Sequence, residues 1–369
     1  MPVDQPLIAL SATALSLLSA ADFRTLHDQA LADVYAEWLP RATGVDEVFG
    51  ELISEMDIFI KRGGKRMRPY LCYLGYVGSG GTNVDEIIRV AVSQELYHNA
   101  WLIHDDIIDR DTTRYGGPNI TGTYIGKLHD RSAKDVRHLA EAAALIAGSV
   151  NMAFAVHSIL GSDFAPESKV AATLLQQELI VELAGGEMLD VFLPTLDAST
   201  LTTERLIAVS QYKTATYSFQ APLQIGAILA GAETYAVESL LPFATAAGIA
   251  FQLTDDVLGI FGHDEKTGKS NLSDIREGKC TLLMSETLSR AEPTDAAELK
   301  RILGDTHAIQ DDLETVRTIM ERSGGHAATE RVIHAYVTKA LDALRNSSLR
   351  ADVKASLHGL VSGLLGRES

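Results

Sequence analysis

Long stretches of apolar residues at helical spacing constrain the fold of this 369-residue chain more than any other feature. Apolar side chains recur at the spacing of one helix face over 84–108, 140–160, 171–193 and 240–261. This period differs from the strict alternation of a half-buried strand. Because ten prolines punctuate the chain, we interpret the long windows between them as helices bounded by proline.

The remainder of the sequence favours no sheet. We find no run of alternating β-branched residues joined by a two-residue hairpin turn, and no strand-then-helix rhythm typical of a parallel sheet. Hydrophobic residues make up 46% of the chain and aromatic residues only 6%, which suits packed helices better than a β-sandwich. With no repeat and no long linker, we predict an all-α fold in a single large domain.

The charge, the cysteines and the hydropathy exclude several classes of protein. There are 32 basic and 49 acidic residues, a net charge of −17, so no nucleic-acid partner is expected. The two cysteines are far apart and outside any C-x-x-C pattern, which fits a reducing cytosol. The apolar segment 6–20 lacks the basic residues that precede a signal peptide core, and no other stretch predicts a transmembrane helix. We therefore expect a cytoplasmic protein.

Three carboxylates lie within five residues at Asp105, Asp106 and Asp109, inside an apolar helical pattern. Asp105 and Asp109 are one turn apart, about 6 Å along a helix axis, and face the same way. Like charges at this spacing repel, so a cation is expected between them. Hard carboxylate oxygens without cysteine indicate Mg²⁺. A solvated acidic face is the alternative interpretation of this motif alone.

A second acidic pair, Asp255 and Asp256, ends another long apolar helix in the segment Phe-Gln-Leu-Thr-Asp-Asp at 251–256. Two acidic clusters on two helices could flank one cavity and hold a metal-bound phosphate between them. Gly259, not an acid, follows Asp255 by one turn. The second cluster therefore offers fewer ligands than the first.

The basic residues concentrate in the segment Arg-Gly-Gly-Lys-Arg-Met-Arg-Pro at 62–69, before a predicted helix that begins at Pro69. Four cations around a Gly-Gly turn are suited to binding phosphate, with a basic surface loop as the alternative. Segment 262–270 is not a nucleotide P-loop, since its glycine spacing is wrong and a helix precedes it. Further cations lie on either side of the second acidic pair: Lys213, Lys269, Arg276 and Lys279.

Taken in order, these motifs resemble those of the trans-isoprenyl diphosphate synthases, the polyprenyl synthetase family. The resemblance runs from about Glu51 to Lys279. It rests on five motifs: Gly-Gly-Lys-Arg-x-Arg-Pro at 63–69, Asp-Asp-x-x-Asp at 105–109, Lys-Thr at 213–214, Phe-Gln-x-x-Asp-Asp at 251–256, and Gly-Lys with Arg-Glu-Gly-Lys at 268–279. It implies an all-α fold around a deep central cavity, a helical extension at about 1–45, a homodimer and three Mg²⁺ ions.

The resemblance also implies an activity and roles for individual residues. The activity is head-to-tail (1′-4) condensation of isopentenyl diphosphate with an allylic diphosphate. Asp105, Asp109 and Asp255 are expected to hold Mg²⁺. The expected catalytic set is Asp105, Asp106, Asp109, Lys213, Thr214, Gln252, Asp255 and Asp256. The residues expected to contact the allylic diphosphate are Arg114, Lys213, Gln252, Lys269 and Lys279. Those expected to bind isopentenyl diphosphate are Lys65, Arg68 and His98.

This chemistry accounts for the residue types. Mg²⁺ and lysine neutralise charge on the departing diphosphate. The alkene of isopentenyl diphosphate attacks the allylic cation, and a proton is then lost to the diphosphate. No protein nucleophile is required, which fits the absence of a Ser/His/Asp or Cys/His arrangement. An apolar cavity keeps water from the cation.

The chain departs from the family pattern at three positions. Tyr115 stands where a second arginine usually follows Arg114, so we expect weaker binding of isopentenyl diphosphate. Gly259 replaces a third aspartate, a change that we expect to be tolerated. Ser149 stands where an aspartate is usual, and the sequence offers no reason for it.

Ala100 and Trp101 occupy the positions that form part of the floor of the product pocket in the family. Trp101 lies one turn, about 6 Å, before Asp105 and could cap a short product. We therefore expect a C15 or C20 trans-prenyl diphosphate.

Two other functions compete with this interpretation. A class I terpene cyclase also uses aspartate-bound Mg²⁺, but it needs no second diphosphate site, so segment 63–69 argues against it. A non-catalytic regulatory subunit would account for Tyr115, Gly259 and Ser149. The five retained aspartates of the two acidic motifs argue against that alternative.

Overall fold

A computed structural model describes residues 16–130, 134–196, 201–262 and 271–365. Almost all of the residues that belong to regular elements are helical, which confirms the predicted all-α fold. Each apolar window identified in the sequence corresponds to a helix, and the window 84–108 has the same limits as the helix itself.

The first half of the chain forms long helices and one short hairpin. In chain order the elements are α1 (Ala20–Val45), α2 (Glu47–Lys61), α3 (Met67–Gly78), α4 (Val84–Ile108), β1 (Thr113–Arg114), β2 (Gly117–Pro118), α5 (Ile120–Asp130), α6 (Val136–Leu160) and α7 (Pro166–Phe192), which a 3₁₀ turn (Leu193–Thr195) follows.

The second half begins with an α-helix that continues directly as a π-helix. In chain order the elements are α8 (Thr203–Val209), a π-helical segment (Ser210–Gln220), α9 (Ala221–Leu229), α10 (Thr234–Glu238), α11 (Leu241–Phe261), α12 (Ser273–Glu277), α13 (Leu282–Arg290), α14 (Pro293–Ile302), α15 (Gln310–Ser323), α16 (Gly325–Asn346) and α17 (Ala351–Ser362).

Side-chain caps explain where several of these helices begin. The Ser19 hydroxyl accepts from the Asp22 amide at 3.1 Å, and the Asp46 carboxylate accepts from the Val48 amide at 2.9 Å. Such caps satisfy amides that have no partner inside the helix. The rule that prolines bound the helices is wrong at Pro40, which lies inside α1. Pro40 is exposed, so its ring lies on the solvent side of the helix.

The hairpin was missed by the sequence analysis because its two strands have two residues each. Arg114 pairs with Gly117 across the hairpin. The two residues of the turn both have positive φ, 55° at Tyr115 and 71° at Gly116. This is the signature of a type I′ turn, in which glycine is favoured and tyrosine is unusual. The turn holds Arg114 and Tyr115 next to the end of α4.

The core is built around α4, α11 and the π-helical segment. Helix α4 packs against α1, α3 and α6, and α11 packs against α16 and the π-helical segment, which also contacts α7. A Cβ on Gly186 of α7 or on Gly248 of α11 would overlap the backbone of the π-helical segment. These two glycines let both helices approach that segment closely. The packing brings the ends of α4, α7 and α11 together around it.

Two helical stretches are long and apolar enough to cross a membrane by length and composition alone, Val136–Leu160 and Thr234–Phe261. The share of the most apolar window that is buried inside the protein is 39% for the first and 56% for the second. Core helices of soluble proteins have the same character, so these stretches do not establish a membrane span.

Candidate active site

The first acidic motif lies in the last turn of α4, and Asp109 caps the end of that helix. Arg114 donates from Nε to Asp106 Oδ1 at 2.7 Å, and its Nη2 lies 3.4 Å from Asp105 Oδ2. Burial alone would lower the pKa of Arg114, but the carboxylates of Asp106 and Asp105 raise it above its ordinary range. Arg114 therefore neutralises one side of the motif.

Lys213 approaches the same motif from the π-helical segment. Its Nζ lies 2.6 Å from Asp190 Oδ2, 3.1 Å from Glu187 Oε2 and 3.5 Å from Asp105 Oδ1. Burial would lower the pKa of Lys213, whereas the carboxylates of Asp190, Asp105 and Glu187 raise it above its ordinary range. The lysine is therefore charged and sits in an acidic setting.

Glu187 and Asp190 of α7 were missed by the sequence analysis. Their spacing of three residues in an apolar helix is the kind of signal that identified Asp105 and Asp109, because residues three or four apart share a helix face. Burial, and secondarily the Asp105 carboxylate, raises the pKa of Glu187 despite the opposing effect of Lys213.

The neighbour of Lys213, Thr214, contacts the second acidic motif. Its hydroxyl donates to Gln252 Oε1, and Gln252 Nε2 donates to Asp256 Oδ1 at 2.7 Å. Burial, with a smaller effect of Asp274 and Asp190, raises the pKa of Asp256 to about 7. Consecutive residues of one segment thus reach both acidic motifs, so the two motifs face one common centre.

Lys279 and two acids close the far side of this centre. Lys279 Nζ lies 3.2 Å from Asp274 Oδ1 and 3.0 Å from Glu277 Oε2. Burial would lower the pKa of Lys279, but Asp274, Asp109 and Glu277 raise it well above its ordinary range. Asp109 belongs to the first acidic motif, and the charge of Lys279 also acts on Asp256 of α11, so Lys279 lies within electrostatic reach of both acidic motifs. Asp255 is half-buried beside Asp256 on α11.

Two further cations were identified near the second acidic pair in the sequence, Lys269 and Arg276. Lys269, expected near the allylic diphosphate, lies outside the described residues. Arg276 donates to the carbonyl of Ala308 at 2.7 Å and so supports the fold.

The residues expected to bind isopentenyl diphosphate form a second group beside the first. Arg68 Nε donates to Ser218 Oγ at 3.0 Å and its Nη2 to Tyr217 Oη at 2.9 Å. The guanidinium lies over the Tyr217 ring, 4.6 Å from its centroid, and Tyr217 Oη lies 3.4 Å from His98 Nδ1. Lys65 is exposed nearby in the chain. Tyr217 and Ser218, both on the π-helical segment, were not identified from the sequence.

His98 is held neutral by its surroundings. Burial, then the charges of Arg68, Arg114 and Arg66, lowers the pKa of its imidazole well below the ordinary value. Of these guanidinium groups, Arg114 is paired with Asp106 and Arg66 with Glu95. Arg68 instead contacts the hydroxyl groups of Ser218 and Tyr217, so its charge can interact with a diphosphate.

The ring of Tyr115 packs against the Gly-Gly turn at Gly63. A Cβ on Gly63 would lie 2.6 Å from Cδ1 of the Tyr115 ring, and the ring centroids of Tyr115 and Phe59 are 6.1 Å apart. Tyr115 therefore packs on the loop that precedes α3, where the family pattern has an arginine.

The two residues expected to govern product length lie next to each other on α4. Ala100 is fully buried. Trp101 is half-buried, and its ring lies edge-on to that of His104 with centroids 6.2 Å apart. Ser149 lies exposed on α6 and donates to the carbonyl of Leu145 at 2.9 Å; nothing in the structure explains the serine there.

The donor set suits a hard divalent cation. The anionic side chains around the centre all offer carboxylate oxygens, and the two acidic motifs face one common centre. Among the described residues, no three Asp, Glu, His or Cys side chains converge closely enough to hold an ion by themselves. Mg²⁺ keeps several waters and is commonly bound by one or two carboxylates plus substrate phosphates. The arrangement therefore fits an ion that arrives with a diphosphate.

Comparison with known proteins agrees with this geometry. A model of the polyprenyl synthetase family matches residues 51–320. Geranylfarnesyl diphosphate synthase of Aeropyrum pernix is 31% identical over 314 residues, which cover 84% of this chain and 92% of that protein. (2E,6E)-Farnesyl diphosphate synthase of Mycobacterium tuberculosis is 29% identical over 309 residues, 83% of this chain and 80% of that protein.

Among solved structures, the chain is similar to geranylgeranyl pyrophosphate synthase from Corynebacterium glutamicum, crystallised with isoprenyl diphosphate and magnesium. The TM-score is 0.89 at 26% sequence identity, and the match covers 95% of this chain and 100% of that one. The family model, the relatives and this structural similarity all identify the same group of proteins: the chain belongs to the polyprenyl synthetase family.

Proposed function

We propose that this protein is a Mg²⁺-dependent prenyltransferase that condenses isopentenyl diphosphate head-to-tail with an allylic diphosphate. The product we propose is a C15 or C20 trans-prenyl diphosphate. The observation that carries the proposal is the π-helical segment, whose Lys213 and Thr214 reach the two acidic motifs and whose Tyr217 contacts Arg68. One segment thus adjoins two separate anion-binding groups, as a reaction between two diphosphates requires.

Each group has a role in the proposed reaction. Asp105, Asp109 and Asp255 would hold three Mg²⁺ ions. When bound, these ions would supply positive charge that stabilises the departing diphosphate. Lys213 and Lys279, both charged and half-buried in the acidic centre, would add further stabilisation of that charge. As the allylic C–O bond breaks, the diphosphate leaves with the bonding pair.

The second substrate would bind at Lys65, Arg68 and His98. Its alkene attacks the allylic carbon, a new C–C bond forms, and a proton leaves from C2 to the released diphosphate. His98 is uncharged, so it can accept or donate a hydrogen bond without adding a titrating charge next to the substrate.

We also propose that the protein acts as a homodimer and that the whole chain forms one domain, with the first 45 or so residues as a helical extension. Large apolar side chains are exposed on α6 and α7, among them Leu145, Ile146, Val181 and Met188. A second copy is the partner we propose for this surface. We propose a cytoplasmic location without a membrane span, in keeping with the free thiols of Cys72 and Cys280.

The alternative functions have less support. A terpene cyclase would have no use for the cationic group around Arg68, and a purely regulatory subunit would have no use for the acidic centre. Neither alternative accounts for both groups together.

The decisive experiment is incubation of the purified protein with Mg²⁺, isopentenyl diphosphate and, in turn, C5, C10 and C15 allylic diphosphates, with products sized by mass spectrometry. We expect C15 or C20 diphosphates, and almost complete loss of turnover in Asp105→Asn. Asp85→Asn is a matched control at the opposite end of α4, about 30 Å away. Cyclic hydrocarbons, or no product from any starter, would contradict the proposal.

A further inference from the structure

Arg66 lies between the two cations expected to bind isopentenyl diphosphate, yet its own guanidinium is buried and only 4% of the residue is exposed. The guanidinium donates to the carbonyls of Ile60 at 2.9 Å and Gly63 at 2.8 Å. It also forms ion pairs with Asp28 at 2.7 Å and Glu95 at 2.5 Å. Four acceptors therefore surround this one group.

The loop folds around the guanidinium. Arg66 has a φ of 51°, in the left-handed region that non-glycine residues seldom adopt. Gly64 has a φ of 102°, and a Cβ there would lie 2.7 Å from Arg66 Nη1. The surrounding contacts must compensate for this backbone conformation, because it would not persist without them. The path of the chain from Gly63 to Arg68 thus depends on how the guanidinium is held.

The acceptors come from separate parts of the fold. Ile60 is in the last turn of α2 and Glu95 is on α4, three residues before His98. Asp28 is on α1, outside the residues 51–320 that the family model matches. Arg66 consequently ties the N-terminal helix to the loop and to the helix that carries His98.

We propose that Asp28 and Arg66 are positioning residues, through which α1 holds Lys65 and Arg68 in the arrangement that binds isopentenyl diphosphate. This inference rests on the proposed function. An arginine is required because its planar fork can serve several acceptors at once, whereas a lysine is a single point charge. Beyond Arg66 the chain runs directly to Arg68, which contacts Ser218 and Tyr217. A loosened loop would therefore disturb one substrate site and leave the acidic centre intact.

Asp28→Asn in the full chain tests the proposal, because Asp28 is the partly exposed partner of Arg66 and its loss leaves Arg66 paired with Glu95. We expect KM for isopentenyl diphosphate to rise about fivefold, with kcat and KM for the allylic diphosphate within about twofold of wild type. Asp33→Asn is the matched control: it makes the same change on α1, at an exposed residue whose carboxylate accepts from Gln29. Equal rises in both KM values, or no rise in either, would overturn the proposal.

Hydrogen–deuterium exchange of the peptide that spans 62–68 provides a readout independent of catalysis. We expect faster exchange there in Asp28→Asn than in wild type or Asp33→Asn, and faster still in Arg66→Lys. Unchanged exchange in both variants would overturn the proposal. Faster exchange with an unchanged KM would also overturn it, since the loop would then have no bearing on the substrate. A wild-type chain without turnover would instead refute the proposed function, while the exchange data would still decide whether α1 holds the loop.

Discussion

The carboxylate of Asp274 lies against the backbone of Gly259, so closely that a Cβ at residue 259 would overlap its Oδ2. Residue 259 is one turn after Asp255 on α11, where the family pattern has a third aspartate. In this chain a carboxylate is present there, but it comes from α12. This contact gives a physical reason for the glycine, which the sequence alone left as a tolerated change.

Restoring the aspartate is therefore expected to harm the protein. Gly259→Asp forces a second carboxylate onto Asp274, and we expect it to lower the free energy of unfolding by about 1–3 kcal/mol and to reduce turnover. Gly259→Ala measures the steric part of this effect. In an Asp274→Ala background the cost of Gly259→Asp should shrink, because neighbouring substitutions are not additive. Thermal unfolding and turnover of the four variants test this, and an unimpaired Gly259→Asp would refute the explanation.

Tyr115→Arg is expected to lower KM for isopentenyl diphosphate. Residue 115 is within electrostatic reach of Arg68, Arg114 and Arg66, so a guanidinium there would join the proposed diphosphate site. Without ligand, the same cation repels its neighbours and loses the packing on Gly63, so the melting temperature should fall and inorganic pyrophosphate should restore it. Tyr115→Phe, which keeps the ring, should leave KM unchanged. An unchanged or higher KM in Tyr115→Arg would count against this role.

Trp101→Ala is expected to lengthen the product. The indole is half-buried one turn before Asp105 and lies edge-on to His104, so its removal opens space below the acidic motif. Trp101→Phe keeps an aromatic ring and should retain the wild-type product. Mass spectrometry of the product mixtures distinguishes the two variants, and identical product lengths in wild type and Trp101→Ala would rule out this determinant.

His98 should make the stability of the protein depend on pH in the acidic range. Its folded-state pKa is lowered by burial and by Arg68, Arg114 and Arg66. Below the ordinary histidine pKa of about 6.5, the unfolded chain binds a proton that the folded chain does not. The free energy of unfolding therefore falls on acidification, by at most about 1.4 kcal/mol per pH unit from this residue, and the loss ends below the folded-state pKa.

His98→Gln should remove this contribution. Urea unfolding at pH 7.5, 6.5 and 5.5, at fixed protein concentration, should show a smaller loss of stability on acidification in His98→Gln than in wild type. His334→Gln, at an exposed position on α16, serves as the control and should follow the wild type. Parallel curves for wild type and His98→Gln would mean that His98 binds its proton equally well in the folded and unfolded chains, and would refute the lowered pKa.

The sequence was sufficient to predict the helices and the family because both depend on short-range patterns. Apolar spacing identified α4 to the residue, and the five ordered motifs contained both acidic pairs and the cationic loop. Such patterns did not predict the position of Pro40 inside α1, because an exposed proline can be accommodated in a helix. They did not predict the short hairpin at 113–118 either, because strands of two residues are too short to show an alternation of apolar and polar side chains.

The contacts among the site residues required the fold. Glu187 and Asp190 meet Lys213 only because α7 approaches the π-helical segment at Gly186. The partnership of Asp28 with Arg66 joins residues 38 positions apart, and no local spacing indicates it. Tyr217 and Ser218 belong to none of the five motifs, and only the packing of the π-helical segment against Arg68 identifies them.

The π-helical segment also makes the site sensitive to the deletion of a single residue. Its backbone bonds span one residue more than those of an α-helix, so a single deletion at 215 or 216 would let the segment rewind as α-helix. Every residue beyond the deletion would then rotate relative to Lys213 and Thr214. Tyr217 and Ser218 would leave Arg68 while the acidic motifs kept their lysine. An alignment gap at this segment would therefore separate the two halves of the site, although every motif residue would still be present in the sequence.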